Sequence, residues 1–324
     1  MDGGAGRRAY VFYATDSTYG IAVLVFVHQL RRLGVARGIE LIVLHLPLPA
    51  WLLAAMRSLG IETRAVGPLR RVKGARYYRD CLIKLRALAL AEYERIVYVD
   101  ADAAPLRRLD FLFTLPLEAA IAAPEAYWLP SRLCTSALLV GQPQRGIWER
   151  IERRLESLGR ERPCYDMDAL NLEFGGEIER LPRSVFTLDS EWEDADRPGW
   201  LGDPGVLRAE AAVVHFTALG KPWSHSPART LRLRPRAHPA FHELREAWWR
   251  AREEVFAGAP IRARLVFACS KRLSQLAGAR RLLEELHRSR SRAAIVGRPA
   301  LGPARRPSPS DASRSPASGV LEDP

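Results

Sequence analysis

Asp100-Ala101-Asp102 ends the apolar run Arg95-Ile96-Val97-Tyr98-Val99. A strand that stops on two carboxylates spaced i, i+2 delivers both to one loop at a sheet edge. There they can chelate one hard divalent cation and, through it, carry the charge of a diphosphate. Far downstream, the run from His215 through Gly220, Lys221 and Trp223 offers an imidazole as third ligand and an ammonium for phosphate. Mn²⁺ tolerates an imidazole among oxygen ligands more readily than Mg²⁺ does. The loop between His215 and Lys221 is long enough to turn back to the same diphosphate, and Gly220 lets backbone approach closely. Plainer readings stand beside these. Asp100 and Asp102 suit a turn or cap ahead of Leu106 to Leu109, His215 a packed strand end, and Lys221 a solvated lysine before a proline.

Three further groups carry chemistry. Thr15, Asp16 and Tyr19 offer a polar edge and an aromatic face to a nucleotide base, or else an ordinary helix N-cap with a packed tyrosine. Arg76 and Lys84 lie about two turns apart on one helix face, within reach of phosphate or sugar. Lys84 sits in the apolar setting Leu82-Ile83-Lys84-Leu85, which a merely solvated lysine would not choose. Asp166-Met167-Asp168-Ala169-Leu170-Asn171 sets two carboxylates and a carboxamide within about one and a half helical turns. Such groups hydrogen-bond sugar hydroxyls and hold charge near an anomeric carbon, while an N-capped helix with exposed acids is the simpler account.

The elements that must position these groups alternate. Tyr10 to Tyr13 reads as a strand, Ser17 to Leu30 as a helix, Ile39 to Leu44 as a strand, and Pro49 to Leu59 as a helix. Thr63 to Val66 follows as a strand, Tyr77 to Glu92 as a longer helix, and Ile96 onward as a strand. Alternation of this kind predicts a mostly parallel sheet covered by helices on both faces, with ligands bound outside the carboxyl ends of the strands. Asp16 and Asp102 then share one rim. Beyond them, Ala119 to Ala123, Leu138 to Gly141 and Ala211 to His215 read as strands. Gly146 to Leu158, Asp166 to Phe174, Phe241 to Phe256 and Arg262 to His287 read as helices. From Arg288 onward Ser, Pro and Arg dominate, and the segment 288–324 is expected to be a disordered tail.

With 324 residues, 48% of them hydrophobic, the chain can bury a substantial core. No apolar run approaches the length of a membrane span. The first residues lead straight into a strand with no signal-peptide pattern, and the four cysteines (Cys81, Cys134, Cys164, Cys269) form no metal or disulfide spacing. Both features suit a cytoplasmic setting. A net charge of +12 raises nucleic acid as a partner, but the basic residues follow no zinc-finger or RNA-binding pattern and many alternate with acids along helices. That argues against nucleic acid and leaves a basic surface suited to an anionic lipid or a nucleotide-sugar.

In order and spacing, Ala14 to Tyr19, Lys84 to Asp102, Asp166 to Asn171 and His215 to Trp223 resemble the family 8 glycosyltransferases, the glycogenin and lipopolysaccharide-galactosyltransferase group. The resemblance covers residues 9–225. It implies an α/β GT-A fold, Rossmann-like, with a mostly parallel central sheet flanked by helices. It leaves the C-terminal hundred residues unexplained; by their own pattern 1–8 reads as a flexible N-terminus and 226–287 as a basic helical extension that extends an acceptor site or contacts a membrane peripherally. The resemblance further implies a UDP-sugar donor, Mn²⁺ (or Mg²⁺) as cofactor and transfer with retention. By position, Asp100 and Asp102 (with Ala101 between them) and His215 would ligate metal. Thr15, Asp16 and Tyr19 would hold uridine, Gly220 and Lys221 the diphosphate, and Lys84, Asp166 and Asn171 the sugar. Asp166, Asp168 and Lys84 are the groups expected to serve the chemical step. Two positions depart from the family pattern: Ala218 replaces a glycine three residues after the histidine, and Met167 replaces a glutamine near the reacting face. The acceptor (carbohydrate, lipid or protein) and the oligomeric state are left open. The alternatives are a catalytically weakened nucleotide-sugar-binding adaptor working through the basic C-terminal region and, more distantly, a nucleotidyltransferase.

Overall fold

The computed structural model describes residues 6–69, 76–129, 132–161, 165–193 and 204–258. Cys164, Cys269, the helix expected over 262–287 and the tail from 288 lie outside the described residues.

The principal sheet has seven strands, and its centre is built from sequences with almost no polar interruption. β1 (Arg8–Ala14) is buried from Ala9 onward, and β4 (Arg95–Val99) from Ile96 onward. Both faces of such strands are covered, as a parallel sheet between helices requires. β1 pairs in parallel with β2 (Ile39–His45) on one side and β4 on the other, and β2 pairs in parallel with β3 (Glu62–Ala65). Past β4 the direction changes: β7 (Leu138–Gly141) runs antiparallel to both β4 and β6 (Ile121–Pro124), and β8 (Ile178–Leu181) pairs in parallel with β6. The order is β3-β2-β1-β4-β7-β6-β8. A second sheet of three short strands orders β5 (Ala103–Pro105), β10 (Val213–His215) and β9 (Phe186–Leu188) as β5-β10-β9.

Helix α1 (Ser17–Leu33) begins where Asp16 caps it, the carboxylate accepting from Thr18 N at 2.8 Å and Tyr19 N at 3.1 Å. The remaining helices are α2 (Ala50–Ser58), α3 (Arg76–Cys81), α4 (Arg145–Glu161), α5 (Asp166–Phe174), α6 (Pro204–Glu210), α7 (Pro227–Leu233) and α8 (Pro239–Ala257). The longer helix expected before β4 is in fact α3 followed by a 3₁₀ stretch over Leu82–Ala89. Leu82, Ile83, Lys84, Leu85, Ala87 and Leu88 are all buried there, so the stretch is enclosed rather than amphipathic.

β1 starts at Arg8, and Arg7 already pairs with Glu40 at 2.9 Å. The stretch 226–258 packs onto the fold: α8 lies against α1, with Glu254 accepting from His28 at 2.8 Å and Arg32 at 2.7 Å. Among the described residues no helix is long and apolar enough to cross a membrane.

Candidate active site

Strand pairing brings the two halves of the metal-type motif together. β4 ends at Val99, and Asp100 is anchored at once, its N–H bonding to Ala137 O at 2.8 Å. The chain then turns through buried Ala101 and Asp102 into β5. β10 runs antiparallel to β5 with His215 opposite Ala103, and Phe216 N bonds back to Asp102 O at 3.0 Å. A register of this kind sets the imidazole beside the second aspartate. Asp100, Asp102 and His215 each offer one ligand atom, and these atoms lie within 4.8 Å of one another.

Two cations hold this cluster, one on each side. Lys84, almost fully buried, places Nζ 3.0 and 2.9 Å from the two oxygens of Asp100 and 2.5 Å from Asp166 Oδ2. Tyr98 donates to Asp100, and Ser136 donates to Asp166 Oδ2 at 2.6 Å. Burial favours the neutral form of Lys84, yet Asp100 and Asp166 outweigh it and raise its pKa, so Lys84 stays an ammonium. For Asp166 burial again opposes charge, and Lys84 followed by Ser136 prevails and lowers its pKa. Asp100 goes the other way, its burial outweighing the help of Lys84 and raising its pKa.

On the other side Lys221 pairs with Asp102 Oδ2, and His215 Nε2 lies 3.2 Å from the same oxygen. Burial resists the charge of Asp102, but Lys221 and His215 overcome it and hold the carboxyl well below the usual range. Asp102 Oδ1 is nevertheless buried without a hydrogen-bond partner, and beside it His215 Nε2 has the 3.2 Å contact to Oδ2. An unsatisfied buried polar atom costs roughly 1–3 kcal/mol, so one left within a cluster of ligand-type groups marks a place for a ligand. A hard cation with bonds of about 2.1 Å spans ligand atoms up to roughly 4.2 Å apart, so a small inward shift suffices. Three carboxylates (Asp100, Asp102, Asp166) face two ammoniums (Lys84, Lys221), leaving the cluster short of positive charge. The donor set and the charge both fit a divalent ion.

The other expected residues divide. Gly220 has φ +73°, a left-handed conformation that a side chain would strain, and it turns the loop toward Lys221. Asp168 folds back on its own helix, Oδ2 accepting from Tyr165 N at 3.2 Å in a capping box. Asn171 spends its carboxamide on backbone: Oδ1 accepts from Cys134 N at 2.7 Å, and Nδ2 donates to Cys134 O and Met167 O at 2.8 Å. Of the residues on α5, then, Asp166 joins the charged cluster while Asp168 and Asn171 fix the helix. Asp16 serves as the cap of α1, and Thr15 is half-buried beside it. Tyr19 is 2% exposed, its ring 5.4 Å from Tyr13 and 5.2 Å from Trp223, so it lines the floor rather than presenting an open stacking face. Arg76 opens α3, and its side chain lies outside the described residues.

Sequence reasoning missed Asp189 and Arg245, which support the loop after His215. It also passed over Ser136 and Tyr98. Arg245 falls on the stripe Phe241, Leu244, Arg245, Trp248, Trp249, and a charge on an otherwise apolar helical face is the signal that could have found it.

No protein-family model matches the chain. It is 28% identical over 243 residues to a protein named glucose N-acetyltransferase 1 from Gibberella zeae, covering 67% of this chain and 53% of that one. It is 26% identical over 249 residues to a glycogenin of Cryptococcus neoformans, covering 68% and 27%. The chain spans about half the length of the first curated relatives it matches. In structure it is similar to the galactosyltransferase LgtC solved with donor and acceptor sugar analogs, with a TM-score of 0.56 at 17% identity over 79% of this chain and 99% of that one. In sequence the chain is thus similar to a glycogenin, and in structure to a galactosyltransferase whose GT-A fold it shares.

Proposed function

We propose that the protein is a metal-dependent, retaining hexosyltransferase that moves a hexose from a UDP-sugar to an acceptor hydroxyl. One observation carries the reading: Asp100, Asp102 and His215 each offer a ligand atom within 4.8 Å of one another, and Asp102 Oδ1 is buried there without a hydrogen-bond partner. Asp100, Asp102 and His215 would hold a divalent cation, Mn²⁺ by the donor set. When bound, it supplies neutralisation of the charge that develops on the leaving diphosphate.

The chain's own residues do the rest. Lys221 exchanges Asp102 for a phosphate oxygen and adds a second positive group on the leaving side. Lys84 stays on the sugar side, where it bridges Asp100 and Asp166 and favours the ionised form of Asp166. Asp166, ionised and held by Ser136, accepts a hydrogen bond from a donor-sugar hydroxyl and stabilises positive charge near the anomeric carbon. The acceptor hydroxyl attacks from the face that the diphosphate leaves, and a diphosphate oxygen takes its proton. That route needs no protein nucleophile, which suits the thioether of Met167 at the start of α5. The similar galactosyltransferase was solved with an acceptor sugar analog, which supports a carbohydrate acceptor. No observation among the described residues favours the adaptor reading.

A screen of UDP-sugars by UDP release, with and without Mn²⁺, tests the proposal. Release by the wild-type protein should require the metal and vanish in EDTA. Full turnover in EDTA would reject the metal assignment, and release of pyrophosphate in place of UDP would reject sugar transfer.

A further inference from the structure

Asp189 and Arg245 form an ion pair that is closed off from water almost completely: they are 0% and 1% exposed, with Arg245 Nη2 2.6 Å from Asp189 Oδ2. Asp189 follows β9, and Arg245 sits in the middle of α8. The other carboxylate oxygen, Oδ1, accepts from the backbone N–H of Thr217 at 2.6 Å and of Ala218 at 2.8 Å. Those amides are the second and third after His215. At the far end of the same loop, Arg245 Nη2 lies 3.4 Å from Gly220 O, just before Lys221. The guanidinium is seated 5.5 Å from the Phe216 ring and 5.2 Å from the Phe241 ring. Next along α8, Trp249 Nε1 donates to Pro222 O at 3.1 Å and His225 O at 3.0 Å, and the Trp248 ring is 6.0 Å from Trp223.

Resting on the function proposed above, we infer that Asp189 and Arg245 are positioning residues for donor binding. Through them α8 sets the backbone of the loop that carries His215 and Lys221. Between β10 and α7 the loop forms local turns, with Gly220 N bonded to Thr217 O at 3.2 Å and Ser224 N to Lys221 O at 2.9 Å, while the amides of exposed Thr217 and of Ala218 are held from outside the loop by Asp189. A buried charge pair is a costly way to stabilise a fold, and apolar residues of similar volume often do as well. What they cannot do is accept two adjacent loop N–H groups. The pair therefore matches the need to present an imidazole and an ammonium at fixed places before the donor arrives, which spares the cost of ordering the loop on binding. On this account α8 belongs to the donor site.

The test uses the full chain with the double substitution Asp189→Leu/Arg245→Met, and Asp189→Asn as a milder second variant. Thermal melting reports the fold, hydrogen exchange of the 215–223 segment reports the loop, calorimetry with UDP and Mn²⁺ reports binding, and initial rates separate KM from kcat. In either folded variant the Thr217 and Ala218 amides should exchange at least about tenfold faster. Affinity for UDP with Mn²⁺ should fall between about tenfold and a hundredfold, and donor KM should rise while kcat at saturating donor changes by less than about threefold. A folded variant that keeps wild-type amide protection and wild-type affinity overturns the inference, as does a loss confined to kcat. Absence of UDP binding by the wild-type protein would instead sink the proposed function, and the exchange measurement would still decide whether the pair orders the loop.

Discussion

The two halves of the charged cluster are built differently. On the Lys84 side every polar group is answered: one ammonium spans Asp100 and Asp166, and Tyr98 and Ser136 fill further acceptor positions. The flanking segments are a strand end and an enclosed 3₁₀ turn, both largely buried. On the Lys221 side a single carboxylate oxygen, Asp102 Oδ2, faces both Lys221 and His215, while Asp102 Oδ1 goes unanswered. Lys221 keeps about a third of its side chain exposed, whereas Lys84 keeps 4%. One half is finished by folding alone. The other has capacity in reserve, and that is where a metal ion and a diphosphate would complete the balance.

Breaking the unfinished half should cost activity and little stability. Asp102→Ala is expected to lower metal-dependent UDP release by about a thousandfold or more while thermal melting shows a folded protein. Comparable turnover by this variant would show that the reserve capacity is not used in the reaction. Breaking the finished half should do the reverse first. Lys84→Met leaves Asp100 and Asp166 buried without their cation, and chemical denaturation should register a loss of about 3–5 kcal/mol. A stability within about 1 kcal/mol of wild type would contradict the contrast.

Acid sharpens the comparison further. Asp166 and Asp102 have lowered pKa values in the fold, so the stability they contribute is fully present above the unfolded value near about 3.9. It is lost as pH falls through their folded values below that. Lys84, with a raised pKa, contributes throughout this range and weakens only in strong alkali. Urea midpoints followed downward from pH 6 should drop most steeply below about pH 4, and Asp166→Asn should flatten part of that drop. An unchanged slope in the variant would mean that Lys84 does not depend on Asp166. The smallest effect is expected at the edge of the cluster. Trp249→Phe removes the indole N–H shared by Pro222 O and His225 O, at a cost of about 1 kcal/mol and a donor KM raised by less than about tenfold. A KM unchanged within error would confine Trp249 to core packing.

Much of this arrangement is legible along the chain because it depends on short-range chemistry. The apolar runs at Ala9 and Ile96 are long enough to declare buried strands, and the carboxylates at 100 and 102 follow directly. Helix α5 spans Asp166 to Phe174, as its acidic first turn and apolar Ala169, Leu170 and Phe174 predict. Strands β5 and β9, each of three residues, are too short to show an alternation, and no sequence signal separates them from loop. α7 was hidden in a basic, proline-punctuated stretch, although Ser226 caps it and Pro227 opens it. Asn171 and Asp168 show how the same residue types serve two ends. Their positions suit a sugar, yet each is engaged by backbone within hydrogen-bonding distance.

By itself the sequence determined the alternation of elements, the rim on which Asp16 and Asp102 lie, and the residue types able to hold a cation against a diphosphate. Local periodicity and backbone preference suffice for these. Only the tertiary structure decided which of those residues meet. The pairing of β5 with β10 sets His215 beside Asp102, burial turns Lys84 into a bridge between Asp100 and Asp166, and Arg245 reaches Asp189 from a helix 56 residues away in the chain. Charges separated so far along the chain acquire their partners only through the register of short strands and the exclusion of water, and neither is written in the spacing of nearby residues.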